Sequence, residues 1–279
     1  MGEGWAFTDD RAAEVRSTRR PGRVVAYAQA ARTLVELGVP VVGYFGSQHN
    51  ADSGNAASEL DAPLVGAGDS VDLDLVKSLR PDLVVTVTYG GEVYGVSAAV
   101  ASDLESIAPV LAIGIAGDRT LASVINRFHE LAEALGGDAD DPETPLTTAT
   151  EALADAVRRN PRQVTALSGG TATDAYVANP KYWPSLHLLA DAGVTFTPTT
   201  TSGGWEVVKW PDLPTAHPAD LALYDQRPNS MGPDQLATIP SWPEVPAVRT
   251  GNVVPWNPEP TLTFRAAATF VNTVSEHHR

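Results

Sequence analysis

Tyrosine and tryptophan gather where apolar runs end. Tyr27 and Tyr44 close two early runs, and Tyr89 and Tyr94 flank Gly90-Gly91 just after Leu83–Val87. Tyr176, Tyr182 and Trp183 follow Gln163–Leu167, and Trp205 follows the polar stretch Thr199–Gly204. Trp210, Trp242 and Trp256 come further on. Such rings offer a large, stiff, amphipathic surface. In open parallel sheets, ligands bind outside the carboxyl ends of the strands. The chemistry these residues can do is therefore contact rather than bond making. Each ring could instead pack beneath its own loop, but the set as a whole points to a ligand-binding surface. Arg227, in Tyr224-Asp225-Gln226-Arg227-Pro228, also follows an apolar run. Its guanidinium could pair with a hydroxamate or carboxylate oxygen of a ligand, or it could hold Asp225 or a neighbouring loop. Both readings stand.

Reactive signatures are missing by comparison. There is no Gly-x-Ser-x-Gly elbow and no phosphate-binding Gly-x4-Gly-Lys-Ser/Thr. Gly66-Ala67-Gly68 starts a dinucleotide-like pattern, but Val71 stands where the third glycine belongs, so a simple turn is expected. The 6 histidines, His49, His129, His187, His217, His277 and His278, form no His-x3-His or His-Glu-x-x-His pair. His129 reads as a solvated residue on the polar side of a helix, and His277 and His278 as part of a frayed tail. The pairs Asp9-Asp10 and Asp140-Asp141 read as loop carboxylates without a function. With 0 cysteines there is no disulfide, thiolate metal site or Cys nucleophile. No catalytic residue, protein-held metal or cofactor is expected.

The elements that must position the rings alternate between strand and helix. Arg23–Tyr27, Val39–Tyr44, Asp82–Val87 and Val110–Ile113 read as strands; Ala30–Leu37, Leu73–Leu79 and a segment closing at Ile107 read as helices. The run Leu83–Val87 is continuously apolar and rich in β-branched residues, as in a strand covered on both faces. Leu121, Val124, Ile125, Phe128, Leu131, Ala132 and Leu135 recur at helical spacing, with Asp118 as the candidate cap and Gly136-Gly137 as the stop. That helix would run roughly 27 Å. Beyond it, Glu151–Arg159, Ser185–Ala190 and Thr263–Val274 read as helices. Gln163–Leu167, Val194–Phe196, Leu221–Tyr224 and Asn252–Trp256 read as strands. The fold class is α/β, with two Rossmann-like lobes whose mainly parallel sheets are joined by a single long α-helix. The divisions are 1–117 for the first lobe, 118–137 for the linking helix and 138–279 for the second lobe.

Composition narrows the partners. The 279 residues carry a formal net charge of −15, which repels nucleic acid. Hydrophobic residues make up 43%, enough for a sizeable core. No run approaches the roughly 18 apolar residues that span a bilayer. The opening Met1-Gly2-Glu3-Gly4-Trp5 lacks the pattern of an export signal, which leaves a cytosolic chain or one whose signal has been removed.

Several segments, in order, resemble the helical-backbone class of solute-binding proteins of ABC importers, specifically the ferric-siderophore type. Phe7-Thr8-Asp9-Asp10-Arg11 followed by Pro21–Val25 is similar to that family's opening hairpin and first strand. Leu34–Gly43 is similar to its first helix and second strand, Leu79–Val85 to its approach to the next strand, and Ile107–Val110 to the segment before its linking helix. Leu131–Gly136 resembles the end of that helix, and Ala219–Tyr224 and Gly251–Trp256 its late strands. The resemblance implies two lobes with little hinge motion and a siderophore between them that brings its own iron. It also implies a monomer that is exported, commonly lipid-anchored, and docked to a membrane ABC permease. The residues it places in the cleft are Tyr89, Tyr94, Tyr176, Trp183, Trp205, Arg227 and Trp256. Where the family often has a permease-docking Glu early in its first helix, this chain has Arg32, with Glu36 one turn later and Glu59 beyond.

Three functions compete. A ferric siderophore of hydroxamate type suits aromatic walls, whereas few basic residues suit an anionic catecholate chelate less. The same fold could take a corrinoid, haem or another chelate. A hydrolase would need two carboxylates about 5 to 10 Å apart on different loops.

Overall fold

A computed structural model describes residues 4–47, 60–117, 119–138 and 140–279. The described chain divides into two units, Met1–Asp141 with Thr261–Thr263, and Pro142–Pro260 with Phe264–Arg279.

The first unit opens with a hairpin, β1 (Trp5–Thr8) and β2 (Glu14–Ser17), paired antiparallel. Alternation then begins: β3 (Val24–Tyr27), α1 (Ala28–Glu36), β4 (Val41–Gly46), β5 (Leu64–Ala67), α2 (Leu73–Ser78), β6 (Leu83–Thr88), α3 (Ala98–Ile107), β7 (Val110–Gly114) and α4 (Leu121–Ala134). The sheet order is β5-β4-β3-β6-β7, with every pairing parallel. All residues of β3, β6 and β7 are buried, which is why those runs carry no polar alternation. Polar side chains hold the ends. The Asp82 carboxylate accepts the amides of Gly22 (3.0 Å) and Arg23 (2.7 Å) at the mouth of β3. The Asp72 side chain caps α2 through Asp74 and Leu75 N–H.

The Asp9 carboxylate is buried and ties the hairpin to β7. It accepts from Ala13 N–H (2.9 Å), Ala112 N–H (3.1 Å) and Arg11 Nε (2.7 Å). Asp9 therefore has a structural role that its reading as an idle loop carboxylate missed. The helix expected over 118–137 forms over Leu121–Ala134 within the first unit, where it packs on β7 and α1. Asp118 lies outside the described residues; the cap is Thr120, whose hydroxyl accepts from Ser123 N–H at 3.1 Å. Glu36 accepts a hydrogen bond from Thr263 Oγ1 (3.1 Å). Glu59 and His49 lie outside the described residues.

The second unit runs α5 (Thr144–Arg159), β8 (Gln163–Gly169), β9 (Asp174–Ala178), α6 (Pro184–Asp191), β10 (Thr195–Phe196), β11 (Trp205–Lys209), α7 (Leu213–Ala216), β12 (Leu221–Asp225), α8 (Pro233–Leu236), α9 (Pro246–Arg249), β13 (Val253–Trp256) and α10 (Phe264–Glu276). Its sheet order is β11-β9-β8-β12-β13, with β10 also on β8. The β8, β10, β12 and β13 pairings are parallel, while β9 and β11 are antiparallel additions. Helix α5 starts two turns before the expected Glu151. Pro145 is tolerated in a first turn, and Leu146, Ala149, Leu153, Ala156 and Val157 already form its buried stripe. That stripe packs along α10.

Candidate ligand-binding site

In the first unit, strand order reverses between β3 and β6: β4 and β5 are laid down on one side, β7 on the other. Such a switch point leaves a crevice at the carboxyl ends of its strands. The rings converge there. Tyr27, the last residue of β3, is 0% exposed. Tyr94 meets it edge-on at 5.4 Å, and Tyr89 meets Tyr94 at 4.7 Å. The loop that carries them is tightly held. Thr88 Oγ1 accepts from the amides of Gly90 (3.2 Å) and Gly91 (2.8 Å), Tyr94 N–H bonds Val87 O (2.9 Å), and Thr86 Oγ1 donates to Tyr94 O (2.8 Å). Tyr89 and Tyr94 are left half-buried. Gly95 is required here: its φ is +96°, and a Cβ would sit 2.9 Å from the Tyr27 ring. Tyr44 is buried, and burial pushes its hydroxyl pKa up.

In the second unit, Trp183 centres a larger cluster. Its ring lies 5.2 Å from Trp205, 6.1 Å from Trp256 and 5.5 Å from Tyr182; Trp205 also meets Trp256 at 5.9 Å and Tyr176 at 6.5 Å. Tyr176 and Trp205 were expected in loops after a strand. They lie instead on the paired strands β9 and β11, with Tyr176 opposite Val207 and Trp205 opposite Ala178. This pairing places both rings on one face of the sheet. The chain reverses between β8 and β9 at Thr171–Asp174, where Thr171 N–H bonds Asp174 O (3.0 Å). A Cβ on Gly170 would sit 2.5 Å from the Tyr176 ring.

The rings divide by depth. Trp256 (1% exposed) and Trp183 (6%) form the floor, while Tyr176 and Trp205 are half-buried above it. Both floor indoles are anchored: Trp183 Nε1 donates to Gly204 O (2.8 Å), and Trp256 Nε1 to Ser185 Oγ (3.4 Å).

Sequence reading missed the residue that sets the Trp205 approach. Asn179 is buried, and its side-chain amide donates to Thr201 O and Gly203 O, both at 3.1 Å. Its backbone N–H meets Gly204 O at 3.0 Å. The only signal was an Asn-Pro pair after a strand, which marks a turn but no partner.

Arg227 pairs with Asp225 (Nη2 to Oδ2, 2.8 Å) and Glu259 (Nη1 to Oε1, 3.2 Å), and both carboxylates are nearly inaccessible. Of its two readings, the hold on Asp225 is present in the structure. The histidines differ from expectation. His278 is 0% exposed and its Nδ1 meets Asn160 O at 3.2 Å, so the tail is packed rather than frayed. His129 Nε2 meets buried Asp141 Oδ2 at 3.0 Å rather than pointing to water. His217 is buried beside Thr197 Oγ1 (3.3 Å) and Glu206 (3.9 Å). Among the described residues, no three His, Asp or Glu side chains are grouped to hold a metal ion, and no helix is long and apolar enough to cross a membrane.

The family model for periplasmic binding proteins matches residues 24–260, and the chain belongs to that family. It is a binding protein, not an enzyme. Among solved structures, it is similar to DesE, a ferric-siderophore receptor protein from Streptomyces coelicolor, at 26% identity and a TM-score of 0.88, covering 98% of this chain and 97% of that one. It shares the fold of the heme binding protein HmuT (14% identity, TM-score 0.72, 99% and 90% covered). It also shares the fold of the siderophore binding protein FhuD from Vibrio cholerae, solved with Fe3+–Desferal bound (18%, 0.66, 90% and 96%). No curated protein sequence matches the chain.

Proposed function

We propose that this protein captures a ferric siderophore of the hydroxamate class and delivers it to an ABC permease. In this reading its natural form is lipid-anchored at the outer side of the membrane. The observation that carries the reading is the ring surface of Tyr176 and Trp205 over the anchored floor of Trp183 and Trp256. Tyr89 and Tyr94 provide a comparable surface in the first unit. A chelate that already wraps its iron needs no protein ligand to the metal, only an apolar, shaped wall. The net charge of −15 favours a neutral hydroxamate chelate over a strongly anionic catecholate one. The similarity to a ferric-siderophore receptor agrees with this choice over haem.

Titration with iron-loaded hydroxamates, catecholates, haem and cobalamin, read by tryptophan fluorescence, tests the reading. A ferric hydroxamate should quench strongly at micromolar concentration or below. Trp205→Ala should weaken it by about 1–3 kcal/mol, while Trp5→Phe, in the hairpin, should leave affinity unchanged. Preference for haem or cobalamin would overturn the ligand class. Unchanged affinity in Trp205→Ala would overturn the site.

A further inference from the structure

The second unit carries a cavity that the ring cluster does not use. Its volume is about 430 Å³, and its walls include Tyr224, Met231, Leu236, Trp242, Val248 and Val253. Register fixes its position relative to the rings. Asp225 pairs with Trp256 and Tyr224 with Pro255 across β12 and β13, so Trp256 and the Tyr224 side chain face opposite sides of the sheet. On the other flank, Ser168 pairs with Tyr176 and Leu167 with Val177, which puts Tyr176 on the Trp256 side. The cavity therefore lies on the sheet face opposite the rings and reaches the carboxyl end of β12, where Asp225 pairs with Trp256. There Asp225, Gln226 and Arg227 form part of the cavity wall.

The hydroxyls at the cavity already have partners. Tyr224 Oη donates to Met231 O (2.7 Å) and accepts from Ser230 Oγ (3.2 Å), and Ser168 Oγ donates to Ser230 Oγ (3.1 Å). Burial holds the Tyr224 pKa up at about 12, so the phenol stays neutral. What remains for a guest is apolar surface. Met231 gives that wall some adaptability, while Trp242, edge-on to Tyr224 at 5.5 Å and to Trp210 at 6.0 Å, keeps the opposite wall stiff. The volume is near the lower end of the roughly 300–1,000 Å³ of ligand pockets, which suits part of a ligand better than a whole chelate.

We infer that this cavity receives an apolar appendage, an acyl or alkyl chain, of the siderophore held by the rings, so that the protein selects amphiphilic chelates. The inference rests on the siderophore reading. The chain would leave the chelate at the end of β12, pass Gln226 and Arg227, and lie against Leu236, Val248 and Val253.

The test compares ferric desferrioxamine with its N-octanoyl derivative by calorimetry, in the unaltered protein and in the cavity-filling variants Val253→Phe and Val248→Phe. Two variants on different elements guard against one that folds poorly, and circular dichroism checks each. Burial of several methylenes should make the octanoyl chelate bind about tenfold tighter or more. Both variants should abolish that preference while binding the plain chelate as before. Equal affinity for the two chelates in the unaltered protein overturns this inference and leaves the siderophore reading intact. A preference that survives both variants places the chain elsewhere and also overturns it. Failure to bind either chelate overturns both readings.

Discussion

At the scale of single residues, His217 gives a pH dependence with a definite sign. Burial lowers its pKa, and nearby Glu206 offsets this only in part. His278 is shifted the same way, chiefly by burial, with the Asn160 carbonyl pulling weakly back. An unfolded histidine titrates near 6.5, so below that pH the unfolded chain binds protons before the folded one does. The stability that these neutral histidines contribute is complete above about pH 6.5 and is lost as the pH falls below it. Urea unfolding at pH 8 and pH 5.5 should show the loss, and His217→Gln should reduce the difference between the two. An unchanged difference would show that His217 is not its source. Asp9 behaves oppositely in charge. Burial raises its pKa, but the Arg11 guanidinium and the Ala13, Ala112 and Arg11 amides more than offset this, so it stays ionised well into acid.

At the scale of elements, Asn179 shows how the half-buried ring surface depends on a turn. It joins the end of β9 to the Thr201–Gly204 stretch that leads into Trp205. Asn179→Ala removes both side-chain bonds from half-buried carbonyls, at about 1–2 kcal/mol of stability. Because the same bonds aim Trp205, siderophore affinity should fall about tenfold, a scale set by small misplacements at a site. Fluorescence titration beside a melting curve would separate the two effects. Full affinity in a destabilised variant would mean that Trp205 is positioned by its ring neighbours alone.

The same elements show what the sequence made legible. Leu83–Thr88 was readable because every residue is buried and the run is correspondingly apolar. Asp174–Ala178 and Trp205–Lys209 were not, since each is only five residues long, Trp205–Lys209 is largely exposed and follows Gly203-Gly204, and their pairing with each other is a long-range fact. The first two turns of α5 were hidden by Thr144, Pro145, Thr147 and Thr148, weak helix formers that tertiary packing on α10 overrides.

At the scale of the molecule, composition and alternation were enough for an α/β chain with mainly parallel sheets. Ring positions near strand ends were also visible. The depth of each ring was not: Trp183, Trp205 and Trp256 come from distant parts of the chain, and only the fold decides which becomes floor and which surface. Similarly, Arg227 is held by Asp225 at the end of β12 and by Glu259 from the loop after β13, a partner 32 residues away. A binding protein should also register its ligand in stability. At a free concentration of about 100 Kd, ferric hydroxamate should stabilise the folded chain by about 2.7 kcal/mol, which at about 2–4 °C per kcal/mol for this size raises the melting temperature by about 5–11 °C. No shift at saturating ligand would show that the chelate does not distinguish folded from unfolded chain.

The most direct measurement is equilibrium dialysis of the protein against iron-loaded trihydroxamate siderophore, with mass analysis of the ligand recovered afterwards. The account requires one equivalent bound at micromolar concentration or below, with both iron and organic ligand returned unaltered. No retained chelate, or a chelate cleaved or stripped of its iron, would contradict it.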